Sequence, residues 1–395
     1  MKRILIFLAC AGALALSACT GETALPEPTG EGVFRAVNAI PGSPSVNFRI
    51  EERALDSVAY KGSSSPERFD DFSYNFNFDI SVPGETEQRR IATVTTQIEA
   101  DREHVFVLTG TLDSPTVSTW TSDIRVWGET ETVFEQRFAH LSQSLGDIDI
   151  YFQDPTEPLA PGGHVARLSL GDAMDFSEFA EGEYAITVTA ADDINTVHFV
   201  SSPVTYVARV SNTVSLFDGD ENDTGPFVMS LITATGQSFR ITDPAYPTTL
   251  RFINGAVTLG TVDVYSDETL TELVLAGVEF RVPTAELDIE LEERTYYFTP
   301  ADSVASTLFF ATAPAPPPGT PTEYFLAGGT DEWRGVNVAL DRASTATIAK
   351  VALYNAAANN PSFETFILER DAELTEEDFP ALQSPGFRFP SSNAF

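Results

Sequence analysis

The stretch YNFNFDISV sets Tyr74, Phe76, Phe78, Ile80 and Val82 on one side of an extended chain and Asn75, Asn77, Asp79 and Ser81 on the other. Successive side chains of a strand point to opposite faces, so this alternation marks a strand with one buried face. EYAITVTA repeats it with Tyr184, Ile186 and Val188, and LDIEL with Leu287, Ile289 and Leu291 inward. The runs are short and are broken by Gly, Pro, Asn and Asp, the residues of turns. Sustained helical spacing is missing. The best helical segment, TEEDFPAL, opens on Thr375 as a cap and is interrupted by Pro380. The predicted class is all-β.

A larger period lies over the small one. FRAVNAIPGSPSVNFRI, QRFAHLSQSLGDIDIYF, LRFINGAVTLGTVDVYS and KVALYNAAANNPSFETFI align on Asn38, His140, Asn254 and Asn355. Nine residues after each anchor stands Asn47, Asp149, Asp263 or Glu364 between mostly apolar neighbours. Arg35, Arg137 and Arg251 lie three before the first three anchors. The anchors are 102, 114 and 101 residues apart, so each copy has the size of a domain rather than of a solenoid turn. The opening strand and the following VDVY-type strand are expected to pair across a tight loop. The anchor amide should tie off that loop, and the acidic residue should point to solvent while its neighbours enter the core.

This pattern resembles the domain family of unknown function numbered 4397, whose units open with a strand like RVVNAS, a small Pro/Gly loop and a second strand like VDVYV. RAVNAIPGSPSVNF and RFINGAVTLGTVDVY match it best; the second copy has His140 for Asn, and the fourth lacks the Arg. The resemblance implies immunoglobulin-like β-sandwiches in secreted or surface-anchored bacterial proteins, and no established activity. The expected organisation is a signal peptide over 1–18, a flexible tether over 19–31, sandwich repeats over 32–134, 135–248 and 249–346, and a partial fourth unit over 347–395. The junctions lack flexible linkers, which suggests abutting domains in a rod. The proline-rich APAPPPGTP, Ala313 to Pro321, reads as an inter-strand loop.

The N-terminus sets the compartment. Lys2 and Arg3 precede ILIFLACAGALAL, an apolar run of 13 residues, too short for the ~30 Å of hydrocarbon that about 20 helical residues cross. Charged start, short apolar run and small residues describe a secretory signal. It ends in LSAC, which looks like a bacterial lipobox and implies cleavage before Cys19 and diacylation of its thiol. Each buried CH₂ adds ~0.8 kcal/mol, so several acyl chains hold a protein to a membrane durably. Thr20 rather than Asp after the Cys favours the outer membrane of a Gram-negative envelope. The two cysteines are Cys10, inside the signal, and Cys19. The exported chain therefore has no internal disulfide and no cysteine metal site. The formal net charge of the full sequence, −35, disfavours nucleic acid and anionic lipid as partners.

Candidate chemistry is sparse. His104, His140, His164 and His198 show neither HxH nor HExxH spacing, and no GxSxG, P-loop or GxGxxG is present. Of metal motifs, DGDENDTG offers Asp218, Asp220, Asn222 and Asp223 as calcium donors. The EF-hand positions six and twelve hold Asp223 and Met229 instead of Gly and Glu, so a solvated acidic loop is the plainer reading. Trp120, Trp127 and Trp333 could stack on glycans if exposed. Trp120 and Trp333 stand 20 and 22 residues before the next anchor, which suggests a shared packing position. The sequence thus points to a non-catalytic envelope lipoprotein of structural or adhesive type, without cofactors, whose partners are the membrane and an envelope protein or glycan. Its rivals are a glycan- or peptide-binding accessory of an uptake or assembly system and an envelope hydrolase with a site outside known motifs.

Overall fold

The computed structural model describes residues 27–356 except 305, 330–331, 339–340 and 351, and beyond these residues 362–363, 387–388 and 391–394. The signal segment, Cys10, Cys19, most of the tether, Glu364 and TEEDFPAL lie outside the described residues. Those described form strands and loops without a helix. None of them forms a helix long and apolar enough to cross a membrane.

The first unit holds β1 (Glu31–Asn38), β2 (Val46–Ile50), β3 (Arg53–Val58), β4 (Glu67–Asp70), β5 (Ser73–Ile80), β6 (Arg89–Gln97), β7 (Arg102–Thr111) and β8 (Ser114–Asp123). The second holds β9 (Val133–His140), β10 (Ile148–Gln153), β11 (Ala166–Leu168), β12 (Ser177–Ala180), β13 (Gly182–Ala190), β14 (Asp193–Val200), β15 (Val204–Tyr206), β16 (Ser211–Asp218), β17 (Phe227–Thr233) and β18 (Ser238–Ile241). The third holds β19 (Thr249–Asn254), β20 (Val262–Tyr265), β21 (Leu273–Val278), β22 (Leu287–Asp288), β23 (Arg294–Pro300), β24 (Phe309–Ala313), β25 (Pro321–Gly328) and β26 (Trp333–Val338). The fourth opening segment gives β27 (Ala352–Asn355), which pairs with β30 (Ser391–Ala394), and β28 (Ser362–Phe363) pairs with β29 (Phe387–Arg388).

Each of the three units is a sandwich of two sheets. The first sheets run β4-β1-β7-β8, β12-β9-β16-β17-β18 and β22-β19-β25-β26; the second run β3-β2-β5-β6, β11-β10-β13-β14 and β21-β20-β23-β24. In every unit the opening strand lies parallel to a late one: β1 to β7, β9 to β16 and β19 to β25. Between the sheets of unit 1, Phe34, Phe48, Phe76, Phe78 and Phe106 form a buried cluster, with Phe76 and Phe106 centroids 4.4 Å apart. Phe134, Phe138 and Phe152 fill unit 2, and Phe252, Tyr296, Phe298 and Tyr324 fill unit 3. Burying such side chains contributes about 1.5–3 kcal/mol each.

The apolar face expected in YNFNFDISV and EYAITVTA is met, with Phe76, Phe78 and Ile80, and Ile186 and Val188, in the core; the polar positions Asn77, Asp79, Thr187 and Thr189 are buried as well, so these strands are covered on both faces there. In LDIEL, Leu287 and Ile289 pack on the core but Leu291 is exposed, because β22 ends at Asp288. APAPPPGTP does link two strands, β24 and β25. The expected pairing within each copy is overturned. β1 and β2 lie in opposite sheets, as do β9 and β10, and β19 and β20. Each of these three copies opens with an arch that crosses the sandwich, because both strands bury an apolar face and can face one another across the core. A rod also fails to describe units 1 and 2. Val37, Ala39, Val105 and Val107 of the first sheet of unit 1 pack on Leu141, Phe217, Val228 and Ile232 of unit 2, and Trp120 and Tyr60 close the edge. β1 is consequently buried along seven of its eight residues, on both faces.

Candidate functional site: the arches and unit junctions

The anchor residue is the tie of each arch. Asn38 Nδ2 donates to Ser43 Oγ at 2.9 Å and to the Val58 carbonyl at 3.1 Å, and its Oδ1 accepts from Ile40 N at 3.1 Å. Asn254 repeats this: Nδ2 donates to the Gly260 carbonyl at 2.7 Å and Oδ1 accepts from Ala256 N at 3.1 Å. His140 reaches the carbonyl of Gly146 with Nε2 at 3.0 Å. His140 and Asn254 thus both bond the residue six positions on. All three anchors are fully buried; both Asn amides are matched inside the protein, whereas His140 is bonded through Nε2 and its Nδ1 has no hydrogen-bond partner among the described residues.

The acidic position nine residues on faces outward, as expected, yet it is not solvated. Asp149 is buried under Arg167, whose Nε and Nη2 reach its two oxygens at 2.7 and 2.9 Å, and it accepts from Asp192 N at 2.9 Å. Hydrogen bonds from Arg167 hold its carboxyl below the usual carboxylate range. Asp263 accepts from Gly277 N at 2.8 Å and Asp302 N at 2.9 Å. Asp192 and Asp302 both have positive φ, 63° and 59°, a region that Asp tolerates better than most residues. The buried carboxylate pins a left-handed turn in each case. Asn47 is half-buried at the same place.

Two of the three recurring arginines meet at a junction. Arg35 pairs with Glu103 and donates to the carbonyls of Thr233 at 3.0 Å and Ala234 at 3.2 Å, across the unit boundary. Arg137 approaches the other Glu103 oxygen at 3.6 Å, donates to Thr213 Oγ1, and lies over the rings of Phe176 and Trp120. Burial pulls the Arg137 guanidinium down to about 10. One carboxylate from unit 1 therefore serves an arginine from each of two units. Arg251 pairs with Glu323, which also takes Arg342 at 3.1 Å. Beside the first group a cleft of about 370 Å³ opens between units 1 and 2, lined by Val33, Arg125, Trp127, Phe176, Val210 and Gln237.

The loop offered as a calcium site is where three parts of the chain meet. Lys61 of unit 1 reaches Asp220 at 2.7 Å and Asp223 at 2.5 Å, and Arg240 pairs with Asp223. Asp218 accepts from Ser142, Ser144 and the Gln143 backbone N–H. Asn222 donates to Asp341 at 2.9 Å and accepts from Arg342 N at 2.7 Å. Protein cations and N–H groups thus occupy the oxygens a metal would need. Among the described residues no group of three or more His, Cys, Asp or Glu side chains is placed to hold a metal ion. Burial lowers the Lys61 ammonium despite its acidic partners. A cleft of about 910 Å³ lies alongside, lined by Tyr60, Lys61, Asp220, Asn222, Arg240 and Ile348.

The tryptophans do not form a common platform. Trp120 donates to the Gly171 carbonyl at 3.0 Å in the interface of units 1 and 2. The guanidinium of Arg125 sits 3.9 Å over Trp127. Trp333 packs on the core of unit 3 beside Phe309. The shared packing position expected for Trp120 and Trp333 is overturned: Trp120 lies opposite Val105 and faces unit 2, whereas Trp333 lies opposite Gly328 and faces its own core. Among the histidines, His104 accepts from Glu99 N, His164 lies 3.8 Å from Asp149, and His198 stacks edge-on against Phe227. Sequence reasoning missed the broadside packing of units 1 and 2, although the unbroken apolar run in HVFVL, His104 to Leu108, signals a strand buried on both faces.

The sequence profile described as Domain of unknown function (DUF4397) matches residues 33–151. The matched span covers unit 1 and the first arch of unit 2 through Tyr151. A search of curated proteins finds no match to the chain.

Proposed function

From a DUF4397 match that spans unit 1 and runs into the second strand of unit 2, we propose that the chain is a tandem array of this domain on a lipidated Cys19, acting as a non-catalytic structural, adhesive or interaction module of the outer envelope. Three supports bear on it. The lipobox-like LSAC follows a charged start and a short apolar run. Units 2 and 3 share the strand order of unit 1. Above all, the polar residues that recur between copies are taken up by the scaffold: the anchors tie arches, the acids pin turns, and Arg35 and Arg137 join units. An enzyme site would keep such groups converging on a pocket with free valences.

The anchor is tested by Cys19→Ser. The variant should leave the membrane fraction, lose labelling by a palmitate analogue, and keep its strand-type circular dichroism. Variant protein that still sediments with membranes refutes the lipid attachment.

A further inference from the structure

The shared strand order lets the outer face of the second sheet be compared between units, position by position. Two residues after the recurring acid stand Arg49, Tyr151 and Tyr265. The residues opposite them on the next strands are Asn77 and Thr93 in unit 1, and Thr187 and Val200 in unit 2. In unit 3 they are Tyr297 and Phe310, and Leu273 lies on the other side of Tyr265. A continuous row, Leu273, Tyr265, Tyr297 and Phe310, thus crosses all four strands of unit 3. Its counterpart in unit 1 is polar, so the scaffold does not require it.

The row is open at both ends. Phe310 is 68 % exposed and Leu273 52 %, Tyr297 is half-buried, Tyr265 between Leu273 and Tyr297 is buried, and the Tyr297 and Phe310 centroids are 5.9 Å apart. Adjacent strands lie about 4.8 Å apart, so four strands carry a track roughly 14 Å long. Two residues along the same face, the hydroxyls of Thr295 and Thr312 meet at 2.9 Å, with Thr312 exposed. Neither row contains a charged side chain, and the chain as a whole is strongly negative.

We propose that this face binds a neutral polysaccharide, whose sugar rings stack on Tyr297 and Phe310 and reach Leu273 at the far edge, while ring hydroxyls meet Thr295 and Thr312. Aromatic rings present a flat, polarisable face to the C–H groups of a sugar. An anionic polymer would meet no cation on the face and repulsion from the chain's own field. The proposal rests on the preceding reading of the chain as a non-catalytic interaction module and supplies one partner class for it.

Full-length protein in detergent is tested against cellulose, chitin and starch granules, with alginate beads as the anionic counterpart. At least one neutral polymer should retain it and alginate should not. Phe310→Ser and Tyr297→Ser should each weaken retention about tenfold, a loss near 1.4 kcal/mol. Phe310→Ser should keep the wild-type urea midpoint, and Phe239→Ser, an exposed aromatic of unit 2, should bind as wild type. Retention on alginate alone, retention indifferent to both Phe310→Ser and Tyr297→Ser, or no retention on any neutral polymer overturns the proposal. So does self-association, without polysaccharide, that Phe310→Ser abolishes. Release of reducing ends from a bound polymer would overturn the non-catalytic reading and leave the platform standing.

Discussion

Asn38→Ala removes the tie of the first arch and nothing else of size. Asn38 is fully buried and makes three hydrogen bonds through its amide. The change leaves the Ile40 N–H and the Val58 carbonyl without that partner in a water-poor site, and each unsatisfied buried group costs about 1–3 kcal/mol. A loss of about 3 kcal/mol is expected, against a total stability of roughly 5–15 kcal/mol for a typical domain. Asn38→Asp sharpens the test. It keeps the acceptor for Ile40 N but aims a carboxylate at the Val58 carbonyl. Its carboxyl is raised in the folded state, so the destabilisation should be fully present at pH 7 and shrink, relative to wild type, as pH falls toward 5. Urea unfolding followed by tryptophan fluorescence reads both, because Trp120 sits in the interface with unit 2. Asn195→Ala, at an exposed position, should stay within about 0.5 kcal/mol of wild type. If Asn38→Ala matches that control, the arch is held by something other than its anchor.

Burial pulls both His104 and His140 below the ordinary imidazole range. The unfolded chain takes up protons first as pH drops below ~6.5, so stability should fall from that point downward. His140→Asn, which installs the residue of the other arches, should flatten part of this fall and leave His104 to supply the rest; melting curves at pH 7.5, 6 and 5 that run parallel to wild type would contradict it. Phe217→Ala empties the centre of the interface between units 1 and 2 and should cost about 3–5 kcal/mol. Calorimetry should then show units 1 and 2 unfolding separately, and a single unbroken transition would mean that other contacts couple them.

The sandwiches were legible because period two is local: Phe76, Phe78 and Ile80 declare their face within one strand. The role of the anchor was legible too, since a recurrent Asn beside a Pro/Gly loop has few physical uses. Which strand neighbours which was not. An arch and a hairpin have the same apolar and polar order, and only the partner across the gap tells them apart, so β1 and β2 read as a pair. The acid at 149 and 263 looked solvated because its neighbours are core residues. Its cover, Arg167 and Asp192 N in one case and Gly277 N and Asp302 N in the other, comes from loops at a distance that no short window joins. The aromatic track of unit 3 had a visible sign in RTYYFTP and LFFATA: contiguous aromatics on one strand cannot all point inward.

The broadside seating of the first unit on the second governs how such an array can be cut. Severing the chain ahead of Val133 would strip the cover from Leu141, Phe217, Val228 and Ile232, leaving the shortened product a bare oily plane with strong appetite for its own kind. The leading pair of beads on this string therefore stands or falls as a couple.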